Sequence, residues 1–206
     1  MASPALALTD PAVDRSAIVA IVASAGGIAA LVALLAPLPP DFPFPIIVAQ
    51  HLPPDLPSKL PAVLRVRTRL TVKWAEAGEA ASGGTVYLVP PGRQLEVRKN
   101  GFEIEALPPS SSSWLASPDA LLLSIALRHG GRAIGIMLSG ALACGVAGLR
   151  AIRRVGGITM AQNAASSTHF AMPTGAIDLA KAEIVLPPAR LAQALMIMAE
   201  EWSPPQ

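Results

Sequence analysis

Short, continuous apolar runs alternate with Ala/Leu-rich stretches along this chain. The run SAIVAIVA (16–23) predicts a strand buried on both faces, because a half-exposed strand would alternate apolar and polar positions. SAGGIAALVALLAPL follows as a helix that Pro37 ends. PIIVAQH (45–51) predicts a second buried strand, and PSKLPAVLRV a helix started by Ser58. TVKWAEA and GGTVYLVP read as strands, with Gly78 and Ser82-Gly83-Gly84 as turn signals. RQLEVRKNGFEIEAL holds two alternating runs around Asn100-Gly101, a strong hairpin signal. PSSSSWLAS (109–117) reads as a loop. SPDALLLSIALRHG then predicts a helix, with Ser117 as N-cap, Pro118 as its first residue and Gly130 as its stop. RAIGIMLS (strand), ACGVAGLRAIRRVGG (helix), ITMAQN (strand), MPTGAIDLA (short helix), EIVLP (strand) and PARLAQALMIMAEEW (helix) complete the chain.

Strands that alternate with helices predict an α/β fold: a doubly wound, mostly parallel sheet with helices on both faces and one antiparallel β-hairpin. No repeat or composition break divides the chain. Residues 1–15 are expected to be a flexible leader and residues 16–206 a single domain.

Composition narrows the function classes. The 206 residues are 52% hydrophobic and 15% charged, which excludes a disordered chain. A mean hydropathy of +0.49 raises the question of a membrane span. The longest early apolar stretch, residues 28–38, has eleven residues, and a span needs about 20. The first 17 residues have no basic segment of the kind that opens an export signal, so a cytoplasmic location is expected. One cysteine excludes an internal disulfide and a zinc finger. The net charge of +2 and the 4% aromatic content give no argument for nucleic acid. No metal and no organic cofactor is implied.

Open α/β sheets bind ligands beyond the carboxyl ends of their strands. Ser24-Ala25-Gly26-Gly27 follows the first strand and Gln50-His51 ends the second. A serine on a strand-to-helix turn exposes its hydroxyl beside free backbone N–H groups, which favour an oxyanion. A histidine at a neighbouring strand end is the base such a serine needs. The same residues also read as a plain helix cap and an ordinary loop histidine. The phosphate-binding patterns GxGxxG and GxxxxGK[ST] are absent, which disfavours a nucleotide-binding domain. His129 is expected to satisfy carbonyls at its own helix end, and His169 to lie exposed in a polar loop. Asp119 is expected to favour the dipole of the helix it opens. Arg65, Arg67, Arg69 and Lys73 read either as a contact surface for an acidic partner or, more simply, as a solvated face.

Together these pieces resemble the catalytic domain of the chemotaxis protein-glutamate methylesterases. The matching segments, in order, are ASAGG (23–27), QHLP (50–53), AEAGE (75–79), TVYLVPPGRQL (85–95), SPDALLLSIA (117–126), LSGALACGVAGL (138–149), GGITMAQN (156–163) and MPTGAI (172–177). The resemblance implies a Ser-His-Asp esterase that removes methyl groups from glutamate methyl esters on chemoreceptors, and that deamidates receptor glutamines. It places the nucleophile on Ser24, the general base on His51, and oxyanion-binding amides on Ala25, Gly26 and the Gly140 to Leu142 turn, centred on Ala141. A methylated chemoreceptor, or a similar helical protein, is the implied partner. The receiver domain common in the family has no counterpart in the stretch before the first strand, so a separate receiver-domain protein is a further candidate partner.

The chain departs from the family pattern at four positions, the first being Val22, which stands where a glycine usually precedes the nucleophile. The triad Asp falls on Cys144, and Ala143 precedes it where an acidic residue is common. Gln94 stands where His is usual. A neutral thiol carries no charge with which to stabilise an imidazolium. Three outcomes follow: a slow methylesterase working as a Ser24–His51 dyad, a non-catalytic binding or regulatory module on the same fold, or a Cys144 thiolate paired with His51 and acting as nucleophile.

Overall fold

The computed structural model describes Asp14 and residues 16–53, 57–107, 117–142 and 144–202. The predicted leader, apart from Asp14, lies outside the described residues, as do most of the serine-rich loop and Ala143. Strand β1 (Ile18–Ala23) is buried along its whole length. Val19, Ile21 and Ala23 face one core, and Ile18, Ala20 and Val22 face the other. A strand covered on both sides has no polar position, which is why the run is continuous. Helices α1 (Gly27–Leu35), α2 (Leu60–Arg65) and α6 (Pro188–Trp202) supply the first core. The second is supplied by α3 (Pro118–His129), α4 (Val146–Arg154) and the hairpin of β5 (Arg93–Arg98) and β6 (Gly101–Ala106).

The main sheet runs β3 (Thr71–Trp74), β4 (Thr85–Leu88), β2 (Ile46–Gln50), β1, β7 (Ala133–Met137), β8 (Ile158–Gln162), β9 (Ile184–Leu186). All its pairings are parallel. The predicted hairpin forms a separate antiparallel pair, with Lys99 and Asn100 in the turn and Gly101, at φ 106°, opposite Arg98. The chain leaves β1 for β2 on one side and later returns to β1's other side as β7. That reversal opens a crevice at the carboxyl ends of β1, β2 and β7. The register sets Ala23 opposite Gln50 and Val22 opposite Met137, so the loops that follow these strands emerge level with one another.

Two local expectations change. His129 does not serve its own helix end. Its Nδ1 lies 2.9 Å from the Ser16 carbonyl oxygen, in a buried position where α3 ends beneath the start of β1. A carbonyl only accepts, so Nδ1 carries the proton. Ser117 caps α3 by position alone, since its hydroxyl makes no cap bond. Gln94 instead binds the Ser117 backbone, with Oε1 accepting from its N–H (2.8 Å) and Nε2 donating to its carbonyl (3.1 Å). The short helix predicted near residue 175 is α5 (Ala171–Thr174) running into a π-helical turn, Gly175–Leu179.

Candidate active site

Ser24 is the first residue beyond β1. Its N–H donates to the Ser139 carbonyl (2.9 Å) and its carbonyl accepts from Gly27 N–H (2.8 Å). Gly26 caps α1 at φ 75°, and a Cβ there would stand 2.7 Å from both Ser139 Oγ and Thr168 Cβ. Only glycine combines that dihedral with that approach. Ala25 and Gly26 are exposed, and their amides meet no acceptor among the described residues. The turn therefore presents two free donors beside the Ser24 side chain, as an oxyanion requires.

His51 is the first residue beyond β2, and its N–H donates to the Ala23 carbonyl (3.0 Å). Gln50 links the two turns: its Nε2 donates to the Ser24 carbonyl (2.9 Å) and to the His51 carbonyl (3.3 Å). Gln50 Oε1 is buried and has no partner among the described residues. The Ser24 hydroxyl makes no hydrogen bond to either ring nitrogen of His51. The neighbouring strands align the two residues at the backbone, and the proton-transfer contact itself is open.

Cys144 completes the cluster. Its Sγ lies 3.8 Å from His51 Nε2, while His51 Nδ1 is buried without a partner among the described residues. Burial, and secondarily the Asp119 carboxylate, pushes the thiol up to about 11. Burial also holds His51 below the ordinary imidazole value. Both groups are therefore neutral near pH 7. Both shifts disfavour a thiolate–imidazolium pair, which argues against Cys144 as nucleophile.

Asp119 does more than favour its own helix. Its carboxylate accepts from Gly145 N–H (3.2 Å) and Gly148 N–H (2.7 Å), so a residue of α3 caps α4. The oxyanion expectation for the Gly140 to Leu142 turn also narrows. Gly140 N–H already donates to the His169 carbonyl (2.9 Å), while the exposed Ala141 has its amide free among the described residues. Gly140 packs tightly: a Cβ there would meet Met172 Sδ and lie 3.0 Å from Ser24 Cβ. His169 is exposed as expected, but it works through its backbone.

Ser139 stands at a strand end with no role legible from the sequence, and Gln162 is not conspicuous there, yet the two hold the site together. Ser139 is buried. Its hydroxyl donates to the Ala25 carbonyl (2.8 Å) and accepts from His169 N–H (3.0 Å), and its own N–H donates to Gln162 Oε1 (2.8 Å). Gln162 Nε2 in turn donates to the Ser166 carbonyl (2.8 Å). A signal was available: two strands, IIVAQ and ITMAQ, each end in Ala-Gln. A glutamine closing a buried strand marks a polar group that needs partners. No cluster of three or more His, Cys, Asp or Glu able to hold a metal occurs among the described residues.

Residues 19–195 match the model of the CheB methylesterase family. The chain belongs to that family. A protein-glutamate methylesterase/protein-glutamine glutaminase of Paramagnetospirillum magneticum is 39% identical over 179 residues, covering 87% of this chain and 50% of the relative. One from Anaeromyxobacter dehalogenans is 37% identical, covering 88% and 53%. The chain thus spans about half the length of these relatives. The crystal structure of the CheB methylesterase catalytic domain of Thermotoga maritima has a TM-score of 0.82 at 28% identity, over 90% of this chain and all of that one. The doubly wound fold is therefore that of a CheB catalytic domain. No helix among the described residues is long and apolar enough to cross a membrane.

Proposed function

We propose that the chain hydrolyses carboxylic esters on protein side chains as a protein-glutamate methylesterase, acting in the cytoplasm on methylated chemoreceptors or similar helical proteins. The observation that carries this reading is the turn after β1. Ser24 stands there beside the free amides of Ala25 and Gly26, and His51 follows the strand paired directly next to β1. Ser24 Oγ attacks the ester carbonyl carbon as His51 takes its proton. The amides of Ala25, Gly26 and Ala141 hold the resulting oxyanion. Collapse of the intermediate expels methanol, which receives the proton from His51. Water then attacks the acyl-serine by the same route and leaves a free carboxylate. On a carboxamide, Ser24 attacks in the same way, the leaving NH₂ takes the proton from His51 and departs as ammonia, and water frees the carboxylate from the acyl-serine, which is glutamine deamidation. Cys144 touches the ring but supplies no charge to the imidazolium, so the reaction runs well below the rate of a triad with a carboxylate. A separate receiver-domain protein is the proposed regulatory partner.

A second reading has an observation of its own. His51 has one neutral thiol neighbour and an unpartnered Nδ1, and both fit a site that binds a receptor-like helix without turnover. The test is methanol release from a carboxyl-methylated chemoreceptor cytoplasmic fragment by wild type, Ser24→Ala and Cys144→Asp. Release by wild type that Ser24→Ala abolishes supports the esterase. Release by Cys144→Asp alone supports the binding module. Silence from all three overturns the assignment of Ser24.

A further inference from the structure

At the far end of α4 from Cys144, the molecule carries a cleft of about 470 Å³ lined by Arg150, Arg153, Arg154, Lys181 and Glu183. We propose that this cleft docks an Asp/Glu-rich segment of a partner protein. The inference stands independently of the esterase reading.

Charge distribution carries it. Four cations face one carboxylate, a local net charge of four minus one, or +3, while the whole chain carries only +2. The charge is thus concentrated at this place. Outside the cleft, Lys73 pairs with Glu76 and Glu79, and Arg98 with Glu96 and Glu103, while the exposed Arg67 and Arg69 make no ion pair among the described residues. Among the described residues, Arg153, Arg154 and Lys181 make no ion pair. Arg150 is held in place by its Nε, which donates to the Leu179 carbonyl (2.8 Å), leaving the rest of its guanidinium for a ligand. Arginine forks match carboxylates two bonds at a time.

Lys181 adds a second observation. It sits at φ 58°, and no other non-glycine residue among those described has positive φ. It closes the π-helical turn, where Ala180 N–H donates to Gly175 and Ala182 N–H to Ala176. Such a closing position favours glycine. Here the strained position carries a lysine, and its ammonium joins the three guanidiniums.

The lining also chooses among ligands. Small-molecule pockets are mostly apolar, and this cleft is mostly charged. No aromatic side chain lines it, so bases have nothing to stack on. The cations line a concavity, which a flat bilayer surface does not enter. An acidic peptide fits all three observations. Bound there, it would leave the Ser24 crevice clear, because the lining arginines begin at Arg150, a full turn into α4, and run to its far end at Arg154.

The test is the fluorescence anisotropy of a labelled deca-glutamate peptide at low salt, where such contacts are screened least. Wild type is expected to bind it. The double variant Arg153→Glu/Arg154→Glu is expected to bind about tenfold more weakly. Lys181→Gly is expected to lose about threefold with no fall in Tm, since glycine relieves the backbone. Arg67→Glu, an exposed cation on α2's side of the sheet, is the control and is expected to bind as wild type. Equal binding by all variants, an equal loss in Arg67→Glu, or no peptide binding overturns the proposal. So does binding to phosphatidylserine vesicles, or of inorganic phosphate, that exceeds binding of the peptide.

Discussion

Cys144 meets His51 at one ring nitrogen and leaves the other, Nδ1, buried without a partner among the described residues. A triad carboxylate would fix the imidazole and balance its charge when it takes up a proton. The thiol only fills the place. Cys144→Asp is therefore expected to raise methanol release by up to about 10⁴, the factor that loss of the triad carboxylate's charge costs in serine proteases. The same variant is expected to move the His51 titration, followed by NMR, upward. An unchanged rate with a raised His51 pKa would show that charge at this position does not limit turnover.

The single thiol is itself a probe. With a pKa of about 11, roughly one molecule in a thousand carries a thiolate at pH 8. Iodoacetamide is expected to modify the native protein far more slowly than a free cysteine peptide. Asp119→Asn removes the second cause of that shift and weakens the cap on α4. Faster alkylation at fixed pH, and a loss of about 1 kcal/mol in stability, are expected together. Alkylation that is unchanged while Tm falls would separate the two roles of Asp119.

Gln50 joins the turns of Ser24 and His51 through one NH₂ group. Gln50→Met keeps the bulk and removes both bonds, at an expected cost of about 1–3 kcal/mol. It should also slow labelling of Ser24 by a serine-reactive phosphonate. Gln50→Glu is expected to be worse, because it sets carboxylate oxygens against two carbonyl oxygens. Equal effects of the two variants would mean that packing, rather than donation, is what Gln50 provides.

His51 and His129 are both held below 6.5 by burial. The unfolded chain therefore takes up protons near pH 6.5 that the folded chain does not. Stability is whole above that pH and falls as pH drops from 6.5 through the folded-state values. Thermal melts between pH 7 and pH 5 are expected to show this fall, with a shallower slope in His129→Gln. Ser24 labelling is expected to persist below the usual imidazole range, since His51 remains a neutral base there.

The residues that are conspicuous in one dimension are legible from sequence. The buried strands show as unbroken apolar runs, and Ser24, Gly26 and His51 stand at their ends. The hairpin shows through Asn100-Gly101. What a residue reaches across the fold is not legible. Ser139 binds Ala25 from 114 positions away, and His129 binds Ser16 from 113. Asp119 looks like a helix-opening carboxylate of α3, yet it closes the start of α4. Nothing local to any of these side chains distinguishes them from other polar residues. Their roles come from strand register, which short-range pattern does not contain.

The parallel register has a kinetic consequence. Val22 lies opposite Met137 across 115 positions of chain, and Cys144 meets His51 across 93. Parallel strands cannot be zipped from a tight turn, so the β1–β7 pairing waits for a long loop to close. The crevice exists only after that closure. A chain still being made, with β7 not yet in place, has Ser24 and His51 but no third wall around them. Whatever chemistry the crevice performs is thereby withheld from partly folded forms and begins as a property of the finished sheet.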